Sequence, residues 1–169
     1  MEQKGKVKVI FNLDAEDWHG HGSETLWADK IAESSNGVVV RTANSSYFVK
    51  GVSVNDVVRC ASVVGSTTLH FIETLEHSGH STYVILVPVQ TTNFETLWVP
   101  LRDLGCSYES GQIQTSMGNQ RMYSIDVPGT SDVSAVYDVL SKGEERGVWT
   151  FQENHCGHNV GASGAPLCD

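Results

Sequence analysis

Residues 75–89 read LEHSGHSTYVILVPV, and how this stretch is divided decides the fold. From Thr82 the run TYVILVPV is continuously apolar and of strand length, the pattern of a buried strand. Just before it, Gly79 permits a positive φ, while Ser78, Ser81 and Thr82 can close local hydrogen bonds between side chain and backbone. The spacing predicts a tight connection feeding a buried strand. The patterning of the chain differs on its two sides, so the joint also predicts a boundary between two subdomains.

Upstream, Val7, Val9, Phe11 and Leu13 alternate with Lys6, Lys8 and Asn12 at the period of a half-buried strand. SETLWADKIAE (residues 23–33) fits either a short helix capped by Ser23 or a strand in which Leu26 and Ala28 alternate with Trp27 and Asp29; the strand is the preferred reading. Asn36 and Gly37 then mark a turn into VVVRT, giving a hairpin. SYFVKGVSVNDVVRCASVV (46–64) carries β-branched runs punctuated by Gly51 and by Asn55-Asp56, and TTLHFIETLEH (67–77) follows. Short strands separated by turn residues predict a small twisted β-sheet or barrel-like subdomain over residues 1–77.

Downstream, strand and helix periods alternate. Phe94, Leu97, Trp98, Leu101 and Leu104 follow helical spacing, with Asn93 as cap and Gly105 as stop. Pro100 predicts a kink or a late start, because an interior proline costs about 3 kcal/mol and deletes a hydrogen bond. GQIQTSM and RMYSIDVP read as strands around a turn at Gly118 and Asn119. Val133, Val136, Tyr137 and Leu140 predict a second helix capped by Thr130 or Ser131, with Gly143 near its end, and VWTFQE closes the set as a strand. This βαββαβ order predicts a ferredoxin-like subdomain over residues 78–154, two helices covering one face of an antiparallel sheet. The Gly-, Ala- and Ser-rich tail, 155–169, reads as flexible. The whole chain is thus α+β.

A chain of 169 residues buries a sizeable core without staples, and its four cysteines form no CxxC pair. With no secretory or membrane-spanning pattern in view, the expected compartment is the cytoplasm. The formal net charge is −9 with only 11 basic residues, which argues against nucleic acid as partner, since phosphate contacts need clustered Lys and Arg. Residues 1–77 carry 7 basic and 10 acidic side chains (7 − 10 = −3), and residues 78–169 carry 4 and 10 (4 − 10 = −6). An acidic surface favours solubility first and a basic protein partner second.

Three stretches invite chemistry. In the joint, His77 and His80 stand beside Ser78 and Ser81, but the Gly-x-Ser-x-Gly elbow of a hydrolase is missing, and strand geometry would put the two histidines on opposite faces. In DAEDWHGHG, Trp18, His19 and His21 follow Glu16 and Asp17; an aromatic on such a loop is a packing anchor or a partner contact before it is a metal site. In NHCGHN, His155, Cys156 and His158 sit beside Cys168 without the two spaced pairs of a structural zinc. Tyr83, Tyr123 and Trp149 imitate the aromatic platform of an RNA-binding sheet, yet the accompanying basic residues are absent, so they read as core. No cofactor, no metal and no catalytic set is expected. The residues singled out for partner binding are Asp17, Trp18, His19, Glu24, Trp27, His77, His80, Glu144 and Glu145.

Taken in order, SETLWADKI, YFVKGVSVNDVVRC, LEHSGHSTYVILV, LRDLGCSYES, YSIDVP and RGVWTFQEN resemble an uncharacterised bacterial family known only as a domain of unknown function. The likeness spans roughly residues 6–154. The chain departs from the family's pattern at SSYF, where a Pro-Phe-Phe approach is usual, and at WHGHG, where tryptophan is often followed by prolines. The resemblance implies a fold order and a cytoplasmic location and no activity. Small acidic α+β proteins of this kind are common among immunity proteins of interbacterial competition, an analogy of size, charge and compartment. The leading expectation is therefore a non-catalytic binding protein that occludes a basic nuclease toxin domain, with no role for nucleic acid or membrane. The alternatives are an enzyme or small-molecule sensor built on the SGHST turn, and a regulator of an endogenous ribonuclease, since the second half is similar to the inhibitor called regulator of ribonuclease activity B.

Overall fold

The computed structural model describes residues 5–158, and the chain divides into two compact units between Ser78 and Gly79. The first unit is a closed five-stranded barrel of β1 (Lys6–Asn12), β2 (Ser23–Ser34), β3 (Gly37–Thr42), β4 (Val57–Ala61) and β5 (Thr68–Glu76). Neighbours in sequence pair antiparallel, and the ring is closed by parallel pairing of β1 with β5 through Val9↔Leu69. Val9 and Phe11 of β1, Leu26 and Ala28 of β2, Val38 and Val40 of β3, and Val58 and Cys60 of β4 point inward at the period of two that the sequence shows. Burying each large aliphatic side chain contributes about 1.5–3 kcal/mol. Bulges at Ile31 of β2, and at Ile72 and Leu75 of β5 where it pairs with β4, supply the local bend that lets so few strands close.

The expected β-branched run at SYFVKGVSVN is not a strand. Residues 43–56 form an irregular segment that still lends Val49 and Val52 to the core. Side chains satisfy much of its backbone: Glu24 accepts from Tyr47, Phe48 and Val49, and Thr42 Oγ1 donates to the Ser53 carbonyl at 2.7 Å.

The second unit contains β6 (Ser81–Pro88), α1 (Phe94–Asp103), β7 (Ser107–Thr115), β8 (Gly118–Val127), α2 (Val133–Glu145) and β9 (Thr150–His155). Its four strands are all antiparallel in the order β7-β8-β6-β9. Tyr83, Ile85 and Val87 of β6 and Tyr123, Ile125 and Val127 of β8 meet Phe94, Trp98 and Leu101 of α1 and Val133, Val136 and Leu140 of α2 in one core. Phe94 stacks on Tyr123 with centroids 3.8 Å apart, and Tyr108 meets Trp98 edge-on at 4.7 Å.

Local details differ from the sequence reading. α1 begins at Phe94 and runs through Pro100, and Asn93 makes no side-chain cap bond. Pro100 has no N–H to give, so the helix forgoes the bond to the Thr96 carbonyl and still continues to Asp103. α2 is capped by Asp132, whose Oδ1 accepts from Ala135 N at 3.0 Å, and not by Thr130 or Ser131. The hairpin turn is Ser116-Met117; Gly118, at φ +98°, already opens β8, and Asn119 is paired with Gln114. The proposed tail overlaps β9, which ends at His155; residues 159–169 lie outside the described residues.

Candidate functional site

The histidines of the joint are each tied to a carboxylate that the sequence gives no reason to place there. In the barrel unit, the Asp56 side chain is fully buried. One oxygen accepts from Ser53 N and lies 3.0 Å from His77 Nδ1, and the other accepts the Ser78 N–H at 2.7 Å. Ser78 Oγ donates to the Val54 carbonyl at 2.7 Å. The preceding residue, Asn55, holds φ +66°, a conformation Asn tolerates better than most side chains, and so aims the carboxylate inward. Asp56 is therefore a fastener for the chain's exit from β5.

In the second unit, His80 Nδ1 lies 2.8 Å from Asp126 Oδ1. Burial raises the Asp126 carboxyl above its ordinary value, opposed by the hydrogen bond and charge of His80 and by His158. Beside this pair is a second arrangement: Ser81 Oγ is 2.7 Å from His158 Nδ1, and His158 Nε2 is 3.0 Å from the Pro128 carbonyl. A carbonyl only accepts, so Nε2 carries the proton and Nδ1 takes the Ser81 O–H. This is the connectivity of a serine nucleophile and its base, with a carbonyl where a carboxylate would stand. Ser81 is 0% exposed and its oxygen also accepts from Gly157 N at 3.0 Å, so the relay fastens residues 155–158 to β6 and presents no hydroxyl to a substrate. The buried thiols are equally quiet: burial pushes Cys60 up to about 11 and Cys106 up to about 12, far from thiolate at neutral pH.

The other constellation lies in the loop between β1 and β2. Asp14 Oδ1 accepts from Glu16 N, Asp17 N donates to Asp14 O, and Gly20, at φ +68°, donates to Asp17 O, which folds DAEDWHGHG into successive turns. His21 N donates to His19 Nδ1 at 2.9 Å while His21 Nδ1 meets His19 O at 2.7 Å, so the two imidazoles fix each other's position. Both rings pack on Phe48, at 4.5 and 4.6 Å between centroids, and Trp18 contacts Phe48 edge-on at 6.0 Å. Phe48 is held by the three amide bonds to Glu24. Trp18 remains 42% exposed on this shelf. The Trp18 N–H lowers the Asp17 carboxyl below its usual range, helped by Lys50 at 3.4 Å, so Asp17 is ionised at neutral pH.

Asp17, Trp18 and His19 are thus brought together, and Glu24 supports them from beneath without facing outward as a contact. Trp27 sits on the outside of β2, 44% exposed, with Lys8 Nζ 4.9 Å from the ring centroid. Glu144 and Glu145 belong to the other unit; Glu144 Oε1 accepts Phe151 N at 3.2 Å and joins the end of α2 to β9, while Glu145 is exposed. Sequence reasoning missed Phe48, Asp56, Asp126 and the pairing of Ser81 with His158, all defined by partners distant in the chain. Among the described residues no helix is long and apolar enough to cross a membrane.

With this geometry in hand, comparison with other proteins places the chain. A family model described as Domain of unknown function (DUF4265) matches residues 24–151. The chain belongs to this family. The DUF4265 chain is also similar to a solved protein described as a novel crystal structure of a hypothetical protein from Neisseria gonorrhoeae, at 17% identity and TM-score 0.68 over 94% of this chain and 99% of that one. At that identity the likeness is one of fold. No curated protein matches the sequence.

Proposed function

We propose that this DUF4265 protein is a non-catalytic, cytoplasmic binding protein, an immunity protein that neutralises a basic nuclease toxin domain by direct contact. The observation that carries the reading is Trp18: an exposed indole on a hydrogen-bonded shelf, in a loop that also bears Asp14, Glu16 and Asp17. A rigid aromatic costs little entropy to bury, and hot spots favour tryptophan. Flanking carboxylates, in a chain of net charge −9, would steer a basic partner toward it and repel acidic ones. The strand order β7-β8-β6-β9 within a βαββαβ succession supports a ferredoxin-like reading of the second unit.

The test is co-expression with the toxin encoded beside this chain in its native genome. Cells are expected to survive with the intact chain and to die with Trp18→Ala or with Asp14→Lys/Asp17→Lys. Survival unaffected by these changes, or a gene neighbourhood holding no toxin, sinks the reading. Retention of a housekeeping ribonuclease in place of a toxin would favour regulation of an endogenous enzyme through the same loop.

A further inference from the structure

The sheet of the second unit ends on β7. On one side β7 is matched to β8 residue for residue from Ser107↔Asp126 to Thr115↔Gly118 without a bulge, and among the described residues no strand lies on its other side. The outward N–H and C=O groups of an edge strand are a template for pairing with another strand. Proteins that stay monomeric guard edges of this kind with lysine, proline, a bulge or short length. β7 uses none of these: it is nine residues long, reads SYESGQIQT, and has Glu109 as its sole charge. Five of the strand's residues, Ser107, Glu109, Ser110, Gln112 and Gln114, are exposed, whereas the opposite edge strand, β9, is only six residues long.

We infer that β7 is a self-association edge, pairing antiparallel with β7 of a second copy of this chain across a two-fold axis at Gly111, so that the two four-stranded sheets become one. The occupant follows from the composition of the strand. Rotation about Gly111 sets Ser107 against Thr115 of the second copy, Tyr108 against Gln114, Glu109 against Ile113 and Ser110 against Gln112. No pair opposes like charges, and the polar pairs suit cross-strand hydrogen bonding. Glycine at the axis leaves the two backbones room to approach. Such an axis stands perpendicular to the sheet, so the helices of both copies stay on one face and the core of neither is disturbed. Two acidic molecules meet here along a strand that is nearly neutral, which is where association costs them least. The inference does not rest on the toxin reading, and concerns a different unit from the Trp18 loop.

The full chain is tested by sedimentation velocity over about 1–100 µM, where a concentration-dependent dimer is expected. Ser110→Glu with Gln112→Glu opposes carboxylates twice across the axis and is expected to weaken the dimer at least about tenfold. Ser110→Lys with Gln112→Glu sets unlike charges opposite each other and is expected to retain it. Far-UV dichroism and the melting temperature of both variants check that the fold survives. Ser110→Cys with Gln112→Cys is expected to link position 110 of one copy to 112 of the other, read by peptide mapping. A monomer throughout the range, a dimer indifferent to the paired carboxylates, or a cross-link between other positions overturns the inference.

Discussion

Glu24 Oε2 accepts the Phe48 N–H at 2.9 Å and the Val49 N–H at 3.0 Å, while its other oxygen takes the Tyr47 N–H at 2.7 Å. One carboxylate on β2 thereby holds three successive amides of a segment that has no strand partner, and the Phe48 ring under Trp18 is where it is because of this. Charge-assisted bonds of this kind contribute about 1.5–3 kcal/mol each in favourable settings, less when partly exposed. Glu24→Ala is expected to cost about 2–4 kcal/mol in chemical denaturation. It should also raise the solvent quenching of Trp18 fluorescence. Unchanged stability would mean that the segment is held by its apolar contacts alone.

Trp18→Ala separates binding from folding. The ring is 42% exposed and meets Phe48 and His19 edge-on, so its removal is expected to change stability by less than about 1 kcal/mol. Partner affinity should fall at least about tenfold if Trp18 is an anchor. Isothermal titration with the partner domain, alongside a denaturant curve, reads both quantities. Loss of stability without loss of affinity would reassign the residue to packing.

The joint histidines are expected to behave differently from each other. His77 is half exposed, and Asp56 keeps two backbone amides when the imidazole is removed, so His77→Ala should cost less than about 1 kcal/mol. His80 is mostly buried against Asp126, and its loss leaves a desolvated carboxylate short of its closest partner, a cost of about 1–3 kcal/mol. Asp56→Ala should be worse than either, at about 3–5 kcal/mol, because a buried amide, a partly buried amide and an imidazole lose their acceptor together. Urea midpoints rank the three.

These contrasts show what could be read from the chain and what could not. The inward positions of β1 and β2 and the apolar faces of both helices were legible, because periods of two and 3.6 are local properties. The strand pattern allowed a barrel but left it open against a twisted sheet, since closure depends on β1 meeting β5 from across the whole unit, with bulges that alternation does not announce. The turn lies just before the Gly-Asn signal, because Gly118, with its positive φ, follows the turn and opens β8. At the sites, Trp18 and His19 could be singled out from their loop. Glu24 could be singled out as a partner contact, but nothing in the sequence ties it to amides 23 to 25 residues away. The partners of His77 and His80 lie 21 and 46 residues distant, which is why a reader sees nucleophiles and bases where the structure has fasteners.

Gly143 illustrates how a helix position can be decided by a neighbour. A Cβ there would stand 2.2 Å from Trp149 Cε2, and the indole is locked by its own N–H donating to the Leu140 carbonyl at 2.9 Å. On an exposed helix, glycine to alanine gains about 1 kcal/mol. Here the ring has to give way, so Gly143→Ala is expected to destabilise by about 1–3 kcal/mol, the usual range for overpacking. Trp149 fluorescence during thermal unfolding checks it, and a raised melting temperature would mean the indole has another place to go.

Glu153 makes stability depend on pH. It sits directly across from Tyr83 in the register of β9 and β6, and burial raises its carboxyl above the ordinary value while the phenol is pushed up chiefly by its own burial, with Glu153 adding to the effect. An acid whose folded pKa lies above its unfolded value binds more protons in the native state, so its contribution to stability falls as pH rises through the interval between the two. The interval begins near the unperturbed value of 4.5 and extends upward, and above it the ionised carboxylate is a constant burden. Glu153→Gln removes the charge and keeps the shape. The variant is expected to melt at a higher temperature than the parent at pH 7, and the gap between the two should close on acidification below the ordinary carboxylate range. Thermal melts at a series of pH values provide the measurement. A gap that is constant with pH, or a variant less stable at pH 7, would show that the carboxylate contributes a hydrogen bond to Tyr83 that outweighs its desolvation.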